Sequence, residues 1–169
     1  MAEPLHGGCL CGAVRYTLGG SVRFNAYACH CTDCQTRSGS AFGIQLAGMI
    51  ADLMVSGDLV EGHHMQPSGA RATIVACAKC LTRIYTTNDQ RLGFLNLRAG
   101  TLDNSRDLIP GFHLWVSTKQ SWIVIPDDVP SLDTQPASPQ EWLTCSRRVL
   151  LDCSLVSCLS LDPLHIVVA

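Results

Sequence analysis

Short apolar runs along the first 130 residues alternate with breaks at glycine, aspartate and proline. The runs are rich in valine, isoleucine, tyrosine and threonine, which favour strands, while the breaks favour turns. No segment there shows the sustained 3.6-residue apolar period of a long helix. The pattern predicts a mainly β domain, with strands at residues 13–18, 24–28, 41–46, 59–65, 71–76, 83–86, 94–98, 113–116 and 122–125.

Two segments depart from this strand pattern. Residues 32–38 carry a polar face before Gly39 and are predicted to form a short helix. Four prolines between positions 126 and 139 mark a boundary. We therefore divide the chain into a domain at residues 5–136 and a C-terminal extension at residues 137–169. The extension contains no recognised motif, and its composition fits either a docked helix over residues 139–151 or a poorly ordered end.

Composition narrows the classes of function. Hydrophobic residues make up 47% of the chain and charged residues 15%, a balance typical of a folded domain rather than a disordered one. The net charge of −2, without a run of lysine and arginine, predicts that the protein binds no nucleic acid. The first eight residues lack the basic start and apolar run of a secretory signal, and no apolar stretch approaches about 20 residues. We expect a cytoplasmic protein with no membrane segment.

Ten cysteines are the most informative feature of the composition. In a reducing compartment, clustered cysteines are more often metal ligands or catalytic groups than disulfides. Three cysteines near the C-terminus are scattered, and their spacing matches no usual pair of ligands. The other seven form three tight groups: Cys9 with Cys11, Cys29 with Cys31 and Cys34, and Cys77 with Cys80.

The first and third groups together supply four thiolates. Structural zinc sites prefer four tetrahedral ligands, and four thiolates close such a site against water. The long separation between Cys11 and Cys77 is tolerable, because loop-closure entropy grows slowly with length. We therefore predict structural zinc at Cys9, Cys11, Cys77 and Cys80. The alternative is a set of buried cysteines without metal, packed as small hydrophobic residues.

The middle group places three thiols within six residues, in the sequence Cys29-His30-Cys31-Thr32-Asp33-Cys34. Three protein ligands leave one coordination position for water or substrate, as in catalytic zinc sites. Two alternatives stay open: a closed structural cluster, and a site that fills only when a thiol ligand arrives. His30 lies between two predicted ligands, so its side chain is expected to point away from the metal. It is nevertheless a candidate for proton transfer.

The motifs resemble those of the glutathione-dependent formaldehyde-activating enzyme family, which also contains centromere protein V. The resemblance covers roughly residues 5–136. It rests on the following segments: Gly-Gly-Cys-Leu-Cys-Gly-Ala-Val-Arg-Tyr at 7–16, Cys-His-Cys-Thr-Asp-Cys at 29–34, Gly-Ser-Ala-Phe at 39–42, Ser-Gly-Asp at 56–58, Cys-Ala-Lys-Cys at 77–80, Arg-Ala-Gly-Thr-Leu-Asp at 98–103, and His113, Lys119 and Trp122.

The resemblance implies a β-tent fold of short antiparallel sheets organised around two zinc ions per chain. It implies a structural zinc at the four outer cysteines and a catalytic zinc at Cys29, Cys31 and Cys34. The resemblance implies a carbon–sulfur lyase. Its reaction would be the formation of S-(hydroxymethyl)glutathione from formaldehyde, with glutathione as co-substrate. The sequence departs from the family at Leu81, where the family usually has a glycine.

We therefore expect an enzyme that adds a small-molecule thiol reversibly to a small aldehyde, or cleaves such an adduct. The competing interpretation is a non-catalytic zinc-binding module for protein interaction. A pocket lined by Phe42, Trp115 or Trp122 above an open metal would favour the enzyme. A fourth protein ligand at the middle group would favour the module. The sequence makes no prediction of oligomeric state.

Overall fold

The structure is a computed structural model that describes residues 3–20, 25–66 and 68–147. In these residues eleven strands form two sheets, with two α-helices and four short 3-10 turns. The predicted mainly β fold is confirmed. The strands are β1 (Leu5–Gly8), β2 (Arg15–Leu18), β3 (Tyr27–Cys29), β4 (Gly43–Met49), β5 (Leu53–Ser56), β6 (Leu59–Met65), β7 (Arg71–Cys77), β8 (Arg83–Asn88), β9 (Phe94–Arg98), β10 (Phe112–Leu114) and β11 (Ser131–Leu132), and the helices are α1 (Thr32–Ser38) and α2 (Pro139–Arg147).

The smaller sheet has the order β1-β2-β5, and both of its pairings are antiparallel. The larger sheet has the order β11-β10-β3-β4-β9-β8-β7-β6. Its pairings are antiparallel from β3 to β6, whereas β10 lies parallel to both β3 and β11. This topology brings strands from distant parts of the sequence together beside β3, which ends at Cys29.

The main hydrophobic core lies where the small sheet contacts the large one. It joins side chains of the small sheet, such as Tyr16 and Leu18, to Leu95 and Leu97 of β9. Leu95 and Leu97 alternate with half-buried Asn96, so β9 presents one apolar face to the core and one polar face away from it. Burial of each leucine side chain contributes about 1.5–3 kcal/mol. The polar face of β9 carries Asn96 and Arg98.

A second cluster joins the C-terminal helix to β3 and β10. The rings of Tyr27 and Phe112 stack with centroids 5.2 Å apart, and Trp142 of α2 packs edge-on against both. Buried Cys145, also on α2, belongs to the same cluster as Cys29. Helix α2 therefore packs next to the end of β3, although it lies beyond the predicted boundary at residue 136. The division into residues 5–136 and 137–169 stays a prediction.

Some elements have the bounds predicted from the sequence and others do not. The predicted helix at residues 32–38 and the strands at 59–65 and 94–98 have the observed bounds. Helix α2 occupies the first part of the predicted 139–151 segment, and the rest of that segment lies outside the described residues. Among the described residues, no helix is long and apolar enough to cross a bilayer.

The predicted strand at residues 122–125 is wrong. The Ile123 amide donates to the Gln120 carbonyl in a turn, and Lys119 Nζ donates to the Ile123 carbonyl, so the segment is held by local bonds. Val124 is 88% exposed. An apolar run that buries little surface gains little from joining a sheet. Strands β1 and β5 were absent from the prediction, because glycine in β1 and an adjacent turn beside β5 weaken their strand pattern.

Candidate functional site

Two turns bring the four outer cysteines together. Cys9 follows β1 in a tight loop, in which the Cys9 amide donates to the Val14 carbonyl over 3.0 Å. Cys77 ends β7, and its amide donates to the Thr82 carbonyl over 3.0 Å. The Leu10 amide donates to Thr82 Oγ1 over 3.3 Å and joins the two turns. Cys9, Cys11, Cys77 and Cys80 thus meet at one point, as predicted from their spacing.

The sulfur atoms of this outer group are spaced as a tetrahedral metal site requires. Cys9 Sγ lies 3.5 Å from Cys11 Sγ, and Cys11 Sγ lies 3.9 Å from Cys77 Sγ. All four sulfur atoms lie within 4.8 Å of one another. A zinc–sulfur distance of about 2.3 Å gives a tetrahedron whose edge is about 3.8 Å. The four residues therefore fit a zinc ion.

Backbone and hydroxyl groups of the two turns donate hydrogen bonds to these sulfur atoms. The Val14 amide donates to Cys9 Sγ over 3.2 Å, and the Lys79 amide donates to Cys77 Sγ over 3.4 Å. Hydrogen bonds from the Thr82 hydroxyl and backbone amide lower the pKa of Cys80 to about 5. Thiolates are the form that binds zinc, so the turns are suited to hold a metal.

The middle group stands at the junction of β3 and α1. Buried Cys29 ends β3, Cys31 caps the N-terminus of α1, and Cys34 lies in the first turn of that helix. The Cys34 amide donates to Cys31 Sγ over 3.4 Å. Helix α1 ends at Gly39, whose φ of 63° is a left-handed conformation that glycine adopts without strain. A short capped helix thus fixes two of the three sulfur atoms.

The three sulfur atoms of the middle group lie close together. All three lie within 4.8 Å of one another, and Cys29 Sγ is 3.5 Å from Cys31 Sγ. Among the described residues, no fourth cysteine, histidine or carboxylate joins them. The hydrogen bonds from Cys29 and Cys34 lower the pKa of Cys31 to about 2. The geometry fits a metal ion with three protein ligands and one open position.

His30 lies apart from the sulfur atoms, as the sequence predicted. Its ring is fully buried, and its Nε2 is 2.8 Å from His113 Nδ1. The two rings stack with centroids 5.1 Å apart, and Phe42 packs against His30. Burial, and secondarily the charges of His113 and Lys119, lower the pKa of His30 to about 4, so its ring is neutral at pH 7. Its role in proton transfer stays a prediction.

The three aromatic residues considered for a pocket have different positions. Trp115 packs against the cluster that contains Cys29, Cys31 and Cys34. Its φ of 61° is a left-handed conformation that is costly for a bulky residue, by roughly 1–3 kcal/mol. Phe42 reaches the site through His30. Trp122 is 69% exposed and donates to Gln120 Oε1.

Gln45 is a site residue that the sequence did not predict. Its Nε2 donates to Cys34 Sγ over 3.4 Å, and its side chain is buried. Gln45 pairs with Tyr27 across β3 and β4, so both side chains lie on the face of the sheet that carries Cys29. The available signal was a polar residue inside the apolar run 41–46, since a buried amide requires a hydrogen-bond partner.

Comparison with known proteins agrees with this arrangement of cysteines. The family model described as glutathione-dependent formaldehyde-activating enzyme matches residues 4–118, more than half of the chain. The chain belongs to this family. The matched range contains all seven clustered cysteines, and the resemblance seen in the sequence is confirmed. The match to the family model ends at residue 118, before β11 and α2. The packing of Trp142 against Tyr27 therefore involves a residue outside the matched range.

A solved structure is also similar to this chain. It is the crystal structure of a Rhodobacter sphaeroides protein, with 20% sequence identity and a TM-score of 0.49. The match covers 63% of this chain and 98% of that one. No curated protein matches the chain.

The departure from the family at Leu81 has a visible structural consequence. Leu81 follows Cys80 and has a φ of 59°, a left-handed conformation that favours glycine. Its amide donates to the Cys77 carbonyl over 2.9 Å, which closes the turn around the outer sulfur group. The side chain is 68% exposed, so the leucine gains little burial in return for this strain.

Substitution Leu81→Gly is expected to stabilise the protein by about 1 kcal/mol, because glycine removes the left-handed strain of roughly 1–2 kcal/mol. That gain corresponds to a rise of about 2–4 °C in Tm. Thermal unfolding of the zinc-loaded protein measures it. Leu10→Gly is the matched control: Leu10 is an exposed leucine in the other turn with no positive φ, and its replacement is expected to lower Tm. Equal losses in both variants would contradict strain at Leu81.

Proposed function

We propose that the protein is a zinc-dependent carbon–sulfur lyase that catalyses reversible addition of a thiol to a small aldehyde. Glutathione or a similar thiol is the proposed co-substrate, and formaldehyde is the proposed aldehyde. The observation that carries this proposal is the middle sulfur group, which offers three ligands and no fourth among the described residues, in a member of this family. A closed group of four ligands would have no room for a substrate.

We assign two zinc ions to the chain. Cys9, Cys11, Cys77 and Cys80 would hold a structural ion, because four thiolates complete a tetrahedron. Cys29, Cys31 and Cys34 would hold the catalytic ion. Zinc bound there supplies Lewis acidity, which lowers the pKa of a thiol and polarises an aldehyde oxygen.

The proposed reaction conserves atoms and charge. A bond forms between the thiol sulfur and the aldehyde carbon, while one electron pair of the C=O bond moves to oxygen. The oxygen gains a proton and the thiol loses one, so the product is a hydroxymethyl thioether and no oxidant is required. The reverse reaction cleaves the same C–S bond. Both substrates are small, and bringing them together in one orientation is the main task of the protein.

The residues around the sulfur atoms support this task. Gln45 and the backbone of α1 donate hydrogen bonds to the sulfur atoms, which fixes their positions and reduces their negative charge. Trp115 supplies an apolar contact beside them. His30 lies between Cys29 and Cys31 in the sequence and contacts His113, and we propose this neutral pair of histidines as a route for the proton. Because the chemistry needs reduced thiolates, we place it in the cytoplasm.

The test combines metal analysis with a rate measurement. Purified, zinc-loaded protein is added to formaldehyde and glutathione at equilibrium, and two-dimensional exchange NMR measures interconversion of glutathione and its hydroxymethyl adduct. We expect two zinc ions per chain and an exchange rate at least ten times that of the uncatalysed mixture. Protein stripped of metal by a chelator is the control and should give the uncatalysed rate.

Two results would reject the lyase. The first is a fully zinc-loaded protein that leaves the exchange rate unchanged for glutathione and for a neutral thiol. That outcome would favour the non-catalytic zinc-binding module. The second is full activity without metal at the middle group, which would exclude a role for zinc in the reaction.

A further inference from the structure

Three arginines lie on elements near the middle sulfur group. Arg37 lies on α1 one turn after Cys34, Arg83 begins β8, and Arg98 ends β9. All three are half-buried. Arg83 Nη2 donates to the Arg37 carbonyl over 2.7 Å, which ties the end of β8 to α1. These residues are far apart in sequence and meet only in the fold.

Arg98 is the arginine whose position relative to the sulfur atoms is best defined. It pairs with Gln45 across β4 and β9, so the two side chains share one face of the sheet. Gln45 on that face contacts Cys34 Sγ at 3.4 Å. The guanidinium lies over Gly43, where an added Cβ would be 2.8 Å from Arg98 Nη2. Gly43 in turn pairs with Cys29, so the Arg98 guanidinium reaches the edge of the middle group.

The positive charges of these arginines lack acidic partners. In the described part of the chain, ion pairs occur between Arg15 and Asp103 and between His64 and Asp33. No described carboxylate therefore lies within 4.0 Å of the three guanidiniums. Burial, followed by the charges of Arg98 and Arg37, lowers the pKa of Arg83 to about 10. Half-buried cations usually have partners, so a cluster without them is suited to bind an anion.

Neutralising the negative charge of the three thiolates does not require all three arginines. Three thiolates around a divalent ion carry a formal charge of −1, which a single guanidinium would neutralise. Two positive charges then remain near the middle sulfur group. A guanidinium pairs with a carboxylate through two parallel hydrogen bonds, which gives it geometric selectivity as well as attraction. Glutathione carries two carboxylates, whereas 2-mercaptoethanol carries none.

We propose that Arg37, Arg83 and Arg98 form a carboxylate-binding subsite, which selects thiols that carry negative charge for the middle sulfur group. This inference rests on the proposed thiol–aldehyde reaction and assigns its co-substrate to the class of carboxylate-bearing thiols. Arg98 positions the co-substrate from the sheet, and Arg37 and Arg83 extend the subsite along α1. The arginines take no part in bond formation.

The experiment compares Arg98→Gln and Arg98→Lys with the wild-type protein. Exchange NMR gives kcat and KM with formaldehyde and each of three thiols: glutathione, its diethyl ester and 2-mercaptoethanol. Arg98→Gln should raise KM for glutathione roughly 10–100-fold, the effect of losing a hydrogen bond between charged groups. Arg98→Lys should recover part of that loss. In Arg98→Gln the fall in kcat/KM should be at least about tenfold larger for glutathione than for 2-mercaptoethanol. Arg106→Gln removes an exposed arginine away from the site and is the matched control.

The outcomes separate the subsite from the reaction itself. Equal losses for glutathione and 2-mercaptoethanol would overturn the subsite, since Arg98 would then act on the sulfur atoms or the fold. Unchanged constants for every thiol would overturn it as well. If the wild-type protein accelerates no thiol, the proposed function fails, and calorimetric titration with glutathione and its diethyl ester tests the subsite alone. Tighter binding of glutathione that Arg98→Gln abolishes would support the subsite, and equal binding of both would overturn it.

Discussion

Substitution Cys31→Ser is expected to remove the catalytic metal and to lower the rate of thiol–aldehyde exchange at least about 100-fold. Cys31 Sγ lies 3.5 Å from Cys29 Sγ and accepts a hydrogen bond from the Cys34 amide, so it is central to the three-sulfur group. Loss of a residue that only supports a ligand costs about 10–100-fold, and loss of the ligand itself should cost more. The zinc content measured by elemental analysis should fall from two ions per chain to one. Exchange NMR measures the fall in rate.

The matched control for this variant is Cys145→Ser. Cys145 lies in the same hydrophobic cluster on α2 but outside the three-sulfur group, so its replacement should leave both zinc ions in place. The loss of Tm in Cys31→Ser should be smaller than in a variant that loses the structural ion, because the four-sulfur group is intact. A Cys31→Ser protein that retains two zinc ions and full exchange activity would show that the middle group is not the catalytic centre.

Both sulfur groups were predictable from the cysteines in the sequence, but on different grounds. Three thiols within six residues can converge only if the chain turns there, and the cap of α1 provides that turn. The pairing of Cys9 with Cys77 over a long separation needed a further argument, namely that zinc sites require four ligands. Local sequence therefore indicated the candidate ligands, because their chemistry is visible in residue type and spacing.

The surroundings of the middle group could not be predicted in the same way. Gln45, Arg83 and Arg98 reach it through the register of β4, β8 and β9, and register is a property of the assembled sheet. The aromatic contact of Trp142 with Tyr27 likewise depends on how α2 docks. The wrong strand at residues 122–125 has the same origin, since its sequence favours a strand but its position offers none to pair with.

Removing the structural metal is the change expected to affect stability most. Cys77 is fully buried at the end of β7, and its sulfur lies 3.9 Å from that of Cys11. Zinc binding to structural sites in zinc-finger peptides contributes about 10–16 kcal/mol that is coupled to folding. This protein also has a hydrophobic core, so it depends less on its metal than those peptides do. We therefore expect Cys77→Ser to destabilise the protein by about 3 kcal/mol or more, which lowers Tm by at least about 6–12 °C. Thermal unfolding followed by circular dichroism measures this loss.

Zinc content distinguishes loss of the structural ion from damage of another kind. Cys77→Ser should bind one zinc ion per chain, held by the middle group, and a chelator should lower its Tm less than that of the wild-type protein. Lys79→Ala, an exposed change inside the same turn, should retain both ions and the wild-type Tm. Destabilisation of Cys77→Ser with two zinc ions still bound would mean that Cys77 acts as a packed core residue. The four-sulfur group would then not be the structural zinc site.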